Sequence, residues 1–465
     1  MSLRQIHILL LTIVLTTNTR AIDPAGTRLV TALPKNGTEW KARATRTIAD
    51  LPVKPLPAGA LTKFGGRADG RREATGFFRV EKIGDRWWMV DPEGGLFVFN
   101  GIGSVKPQAD FAAKESFTRL FGSKESWAEM TLDQFRELGF KGIGGFSDHE
   151  TLRVAAKPMP YTVTLNLMSS FGKKLGLTHQ QPGHTGYEED CLPVFHPDFA
   201  KHCAEQCVAR LSAMRDDPWL VGCFSDNELP IAKNMLDRML KLDGSKKQFK
   251  HMRESAQDWL VKRGIDKPDI KDEDRSAFVE HVFDAYFRIT TQAIRAALPR
   301  HLCLGSRFHD PAVKSAAAWR AAGRWCDAIS MNYYYVWTPQ TEDLRHWHEW
   351  SGKPCLISEF YAKGADSGMA NTTGAGWLVK TQADRGLFYQ NFTLALLESK
   401  TCVGWHWFKY MDNDPANPST DPSNKDSNKG MFSARYEPYQ PLLDAMRELN
   451  TRIFPLIDQL DKTKP

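Results

Sequence analysis

Cys223-Phe-Ser-Asp-Asn-Glu-Leu-Pro230 and Pro354-Cys-Leu-Ile-Ser-Glu-Phe-Tyr361 share one pattern, a short apolar run that ends in polar residues including a glutamate. Such runs suit strands buried on both faces, as in a parallel sheet. Outward from these two, similar runs lie at 97–102, 141–145, 161–167, 302–307, 328–332 and 402–407. Between them fall stretches with apolar residues at helical spacing, for example 130–138, 199–214, 276–297 and 378–398. Eight alternating units predict an α/β chain folded as a (β/α)₈ TIM barrel. The same periodicity suits a doubly wound open sheet, but no G-x-G-x-x-G turn opens any of these helices. In a barrel, Glu228 ends strand four and Glu359 ends strand seven, so both face the C-terminal mouth where barrel enzymes keep their sites.

The flanking chain is read in the same way. A hairpin signal precedes strand one: 76–82, a turn at Gly84-Asp85, 86–90, a turn at Asp91-Pro-Glu-Gly94 and a third run from Leu96. Residues 22–75 are rich in Pro, Gly and Lys, and are expected to form an extended segment over the surface rather than a core. The catalytic barrel with its hairpin is thus expected over 76–460. A mostly helical insertion is expected at 231–274 and a long polar loop at 412–430, both on the mouth side.

Composition narrows the class. Hydrophobic residues make up 42% and charged residues 25% of 465 residues, close to a globular average. The net charge of +6 is spread over 61 basic and 55 acidic residues, and the densest basic stretch, 246–253, lacks the aromatic interleaving of a nucleic-acid site. Arg4, an apolar run at 8–15 and Thr19-Arg-Ala21 have the form of a secretory signal over 1–21, so the protein is expected to be secreted or periplasmic, with no membrane span after cleavage. The eight cysteines are irregularly spaced. Cys223, Cys303, Cys355 and Cys402 lie within strand runs and are read as core hydrophobes, as are Cys203 and Cys207 on a helix.

Paired carboxylates across a cleft are what glycoside hydrolysis requires: one protonates the leaving oxygen, the other attacks the anomeric carbon or activates water. Each glutamate alone could equally cap a helix or pair with an arginine. Asn227 tips the balance, because an amide there can hydrogen-bond the sugar hydroxyl next to the reacting carbon. A non-catalytic glycan-binding barrel would keep the aromatics but lose one of the two carboxylates.

Longer segments carry a resemblance. Asp217-Pro-Trp-Leu-Val-Gly-Cys-Phe-Ser-Asp-Asn-Glu-Leu-Pro230, Ile357-Ser-Glu-Phe-Tyr-Ala-Lys-Gly-Ala-Asp-Ser-Gly368, Val403-Gly-Trp-His-Trp-Phe-Lys-Tyr-Met-Asp-Asn-Asp414 and Trp88-Met-Val-Asp-Pro-Glu-Gly-Gly-Leu-Phe97 resemble β-agarase-type sequences of the clan A glycoside hydrolases. The resemblance spans roughly residues 76–450. It implies a retaining enzyme for β-linked, agarose-type galactan, with Glu228 as acid/base and Glu359 as nucleophile. Another β-galactoside or β-glucan remains open as substrate, since motifs at the catalytic centre say little about outer subsites.

The acid must stay protonated and the nucleophile ionised, so Glu359 needs donors nearby. Candidate donors are the guanidinium of Arg307 at the end of strand five and the phenols of Tyr333, Tyr334 and Tyr335 at the end of strand six; Arg307, Asn332 and Tyr334 are read as substrate-binding positions. Sugar rings stack on aromatics. Trp405 and Trp407 alternate onto one side of strand eight with His406 on the other; either the tryptophans floor the cleft or they pack outward and His406 faces in. Trp337, Trp377 and Tyr361 are further stacking candidates. His346 and His348 fall on a helix, where i and i+2 do not share a face, and the polar run 412–428 lacks the turn glycine of a Ca²⁺ loop, so neither metal nor cofactor is expected. The expected partner is a polysaccharide or oligosaccharide.

Overall fold

The computed structural model describes residues 27–462 apart from Pro52 and Ala58; the leader expected over 1–21 lies outside the described residues. In chain order the strands are β1 (Arg28–Leu33), β2 (Lys41–Thr45), β3 (Arg79–Ile83), β4 (Arg86–Val90), β5 (Leu96–Phe97), β6 (Phe99–Ile102), β7 (Gly142–Ile143), β8 (Tyr161–Thr164) and β9 (Thr178–Gln181). They continue as β10 (His184–Tyr187), β11 (Leu220–Phe224), β12 (Leu302–Cys303), β13 (Ile329–Asn332), β14 (Cys355–Phe360), β15 (Ala362–Gly364), β16 (Trp377–Val379) and β17 (Cys402–Trp407).

Eight of these form one parallel sheet in the order β12-β11-β8-β7-β6-β17-β14-β13. Chain neighbours are therefore sheet neighbours, and the first strand of the set, β6, pairs with the last, β17. Such an order curls a right-twisted sheet round on itself. The two outer strands are linked by a parallel bridge between Phe308 and Met331, with Phe308 N donating to Ser330 O at 2.8 Å. The result is a barrel-like sheet with helices such as Asp272–Ala297, Ala316–Trp325 and Gln382–Glu398 outside it.

Near-continuous apolar runs are needed because each strand is buried on both faces. Phe99, Val221, Leu302, Ala328, Leu356 and Val403, one from or beside each of six strands, form an inner cluster. The antiparallel sheet β3-β4-β5 adds Met89 and Phe97 to that cluster, so the expected hairpin closes the N-terminal end of the sheet.

Some elements differ from expectation. The described part of 22–75 does more than wrap: β1 and β2 pair, β1 also pairs with β16, and Val30, Ala32 and Ile48 are buried. Local composition hid this, because the partner β16 is supplied from more than three hundred residues away. The helix expected from 378 begins at Gln382, where Thr381 caps it through Asp384 N, and the residues before it form β16. The third sheet strand stops at Thr164 because a helix, Leu167–Lys174, starts after Asn166 turns left-handed. The run 302–307 keeps only two ladder residues, since Gly305 and Arg307 both take positive φ. All eight cysteines are free and buried, in keeping with a packing role.

Candidate active site

Six non-glycine residues just beyond the C-terminal ends of the sheet strands adopt the left-handed region: Ser104, Phe146, Asn166, Glu228, Arg307 and Tyr335. Side chains resist this conformation, so each of these strand ends is held there by its surroundings. A cleft of about 630 Å³ opens there, with Glu228, Glu359, Tyr334, Tyr361, Phe146 and Phe408 among its walls.

Glu359 reaches the cleft through a bulge. Met331 pairs with Ile357 and the next residue, Asn332, with Glu359, so one extra residue sits in β14 at Ser358. A bulge re-aims the following side chain. Here Ser358 and Glu359 both turn to the sheet interior while Phe360 packs outward on Phe392. Arg307 Nη2 donates to Glu359 Oε1 at 2.5 Å and Tyr334 OH donates to Oε2 at 2.5 Å. Arg307 is fully buried, lying over Phe146 at 4.5 Å and Phe224 at 5.4 Å.

Glu228 accepts from Asn332 Nδ2 at 2.8 Å, and His184 Nδ1 stands 3.5 Å from its other oxygen. Asn332 also donates to Asn227 Oδ1 at 3.2 Å and accepts from Ser358 Oγ at 2.7 Å, which ties the ends of β11, β13 and β14 together. Burial pushes the carboxyls of both glutamates up. Opposing it at Glu359 are the Arg307 charge and the Tyr334 hydrogen bond; opposing it at Glu228 are the Asn332 amide and the more distant cations. Each carboxylate also repels the other, so the pair favours holding a proton. Glu359 has two strong donors, one of them cationic, whereas Glu228 has a neutral amide and a longer contact. Of the two carboxyls, Glu359 is therefore the one better supplied with donors to its charged form.

Asp226, between strand and site, does different work. Its carboxylate accepts from Met168 N, Ser169 N and Tyr286 OH, fixing the start of the helix Leu167–Lys174.

Of the residues expected from sequence, the structure brings Asn227, Glu228, Arg307, Asn332, Tyr334 and Glu359 into one network. Arg307 and Asn332 are buried, however, and hold the carboxylates rather than line the cleft. Trp405 and Trp407 are corrected: both are fully buried in the layer between sheet and helices, with Nε1 bonds to Tyr389 OH and Lys429 O. Cys355 pairs with Cys402 but Ile357 with Trp405, so β17 carries an extra residue that reverses its alternation. His406 consequently faces inward, beside Phe99. Trp337 and Trp377 pack under the N-terminal strands, Trp337 donating to Ala44 O and Thr45 Oγ1. Tyr333 is buried with its hydroxyl on Asp343, leaving Tyr334, Tyr335 and Tyr361 at the cleft. His346 and His348 lie on the helix Thr341–Ser351, and no group of three or more potential metal-ligating side chains occurs among the described residues.

Sequence reading missed His184 and Lys429. His184 arrives on the hairpin β9-β10, whose only forewarning is the Pro182-Gly183 turn. The hairpin is fastened over the cleft by the polar loop 412–430, where Asp421 accepts from Gly183 N and Gln180 Nε2.

Comparison with solved structures places this architecture. BpGH50 superposes with a TM-score of 0.81 at 29% identity, covering 95% of this chain and 99% of that one. An exo-β-agarase superposes with a TM-score of 0.71 at 21% identity, over 88% of this chain and 69% of that one. Among curated proteins, the sequence is 24% identical to β-agarase B of Vibrio sp. (strain JT0107) over 90% of this chain and 54% of that protein. It is 25% identical to β-agarase A of the same strain over 77% of this chain and 39% of that protein. The chain thus spans about half the length, or less, of these curated relatives. No protein-family model matches it.

Proposed function

We propose that the protein is a secreted, retaining glycoside hydrolase of clan A that cleaves β-linked galactan of the agarose type on a closed (β/α)₈ barrel. The observation that carries this reading is the pair Glu228 and Glu359, two carboxyls on the walls of one cleft with different hydrogen-bond environments. The names of the similar proteins supply the galactan. The catalytic unit runs over 76–460, with 1–21 as a cleaved signal and 22–75 laid along the barrel.

In the first step a Glu359 oxygen attacks the anomeric carbon while the Glu228 proton passes to the glycosidic oxygen, and the bond to the leaving sugar breaks. The Arg307 and Tyr334 donors keep Glu359 ionised until then. In the second step Glu228, now a carboxylate, takes a proton from water, which displaces Glu359 from the sugar. Asn227 contacts the hydroxyl adjacent to the reacting carbon. Release of reducing ends from agarose tests the activity, and the anomeric NMR signal in the first minutes tests the stereochemistry. Retention is expected; an inverted first product would rule out Glu359 as nucleophile. Amino-terminal sequencing of exported protein should begin at Ile22.

A further inference from the structure

One wall of the cleft is built from lysines. Lys429, Lys106 and Lys35 line it, and Lys409 and Lys363 stand behind. Lys429 is buried at the cleft, its ammonium 4.9 Å from the centre of the Tyr361 ring and 5.7 Å from that of Phe408. Its hydrogen-bond acceptor is the neutral side-chain carbonyl of Asn424. Lys409 donates to the Asn413 carbonyl at 2.6 Å, and Lys363 to the backbone oxygens of Asn371 and Thr373 at 3.0 and 2.8 Å. Lys35 reaches the Tyr335 hydroxyl at 3.5 Å. Among the described residues no carboxylate lies within ion-pair distance of any of these five.

The acids on this side are otherwise engaged. Asp421 accepts from Gly183, Gln180 and Ser423, Asp426 from Thr372 and Thr373, and Asp412 from Gly430, Asn428 and Tyr439. Glu359 already has Arg307. Burial, with the neighbouring Lys409 and Lys363, pushes the Lys429 ammonium down to about 7 against the more distant attraction of Glu359 and Asp421. A buried ammonium with no carboxylate at ion-pair distance is unfavourable, and an anion delivered beside it favours the charged form.

We propose that this wall receives a negatively charged substituent, so that the galactan cut here carries a sulfate ester or carboxylate on the sugar that meets Lys429. This rests on the reading of the cleft as a galactan-hydrolase site and specifies its substrate. Aromatic rings flanking an ammonium suit a sugar face with an anionic group at its edge. The more exposed Lys106 and Lys35 add attraction over a longer range.

The test compares three galacto-oligosaccharides of equal length on the full chain: neutral, sulfated and carboxylated. An anionic substrate should show a kcat/KM at least about tenfold above the neutral one, the scale of a hydrogen bond to a charged group. The preference should shrink as salt is raised. Lys429→Gln should collapse the ratio, and Lys106→Gln, at an exposed position, should lower it with no demand on folding. The sulfated and carboxylated arms tell the two anions apart. A neutral substrate turned over as well as both anionic ones, at every salt concentration, overturns the proposal. Hydrolysis of none of the three would instead strike at the galactanase reading. Calorimetric binding of the same oligosaccharides to Glu359→Gln then judges the lysine wall separately: tighter binding of an anionic one upholds it, and equal or absent binding rejects it.

Discussion

Arg307 and Tyr334 donate to Glu359, whereas Glu228 meets the neutral Asn332 amide and His184, so two side chains of one chemistry sit in different surroundings, which supports the proposed roles of Glu228 as acid and Glu359 as nucleophile. Glu228→Gln should therefore regain much of its activity on a substrate whose leaving group departs without protonation, and Glu359→Gln should not. Equal residual rates of the two variants on such a substrate would contradict the assignment. Tyr334→Phe removes a single donor from Glu359, the proposed nucleophile. Its kcat should fall roughly 10- to 100-fold. The acid limb of its pH profile should also move to higher pH, because a carboxylate with fewer donors protonates more readily. Asn227→Ala should lose roughly 10²- to 10³-fold in kcat with little change in KM. Were Asn227 only a cap, the thermal midpoint would drop while turnover stayed near normal.

Single elements carry the next layer of function. Asp226 anchors the helix Leu167–Lys174, and that helix leads into the hairpin bearing His184. Burial pushes the Asp226 carboxyl up to about 7. The folded chain thus keeps a proton that the unfolded chain releases near pH 4. This contribution to stability is fully present below about pH 4 and is lost as pH rises through about 7. Thermal midpoints measured from pH 4 to 8 should show that decline in the parent but a flatter course in Asp226→Asn; parallel curves would exclude it. In β17, Gly404 lies where a Cβ would come within 2.4 Å of the Phe99 carbonyl. Gly404→Ala should cost roughly 1–3 kcal/mol through forced displacement of the backbone, read as a lower midpoint in denaturant.

At the scale of the whole molecule, the N-terminal strands brace the wall of the cleft. β1 pairs with β16, which follows directly on the cleft residues Thr373, Gly374 and Ala375. A chain beginning at residue 47 would leave β16 without that neighbour and Trp337 Nε1 without its acceptors. It should melt several degrees lower and bind substrate more weakly, as a raised KM; an unchanged KM would separate the brace from the site. Much was legible in the chain itself. Eight apolar runs, the helices between them, and two glutamates at strand ends follow from periodicity and local chemistry, which act over a few residues. The same locality explains what was not legible. Whether Trp405 or His406 faces inward depended on one extra residue in β17, invisible until β14 is laid beside it. His184 and Lys429 come from a hairpin and a loop with no pattern of their own, and the choice of Arg307 and Tyr334 among the candidate donors to Glu359 was made only when the curled sheet set the ends of β12, β13 and β14 beside one another. The sequence by itself determined which segments become strands and which carry acids. Only the tertiary structure decided which acid is surrounded by strong donors, because donors, burial and neighbouring charge arrive from distant parts of the chain.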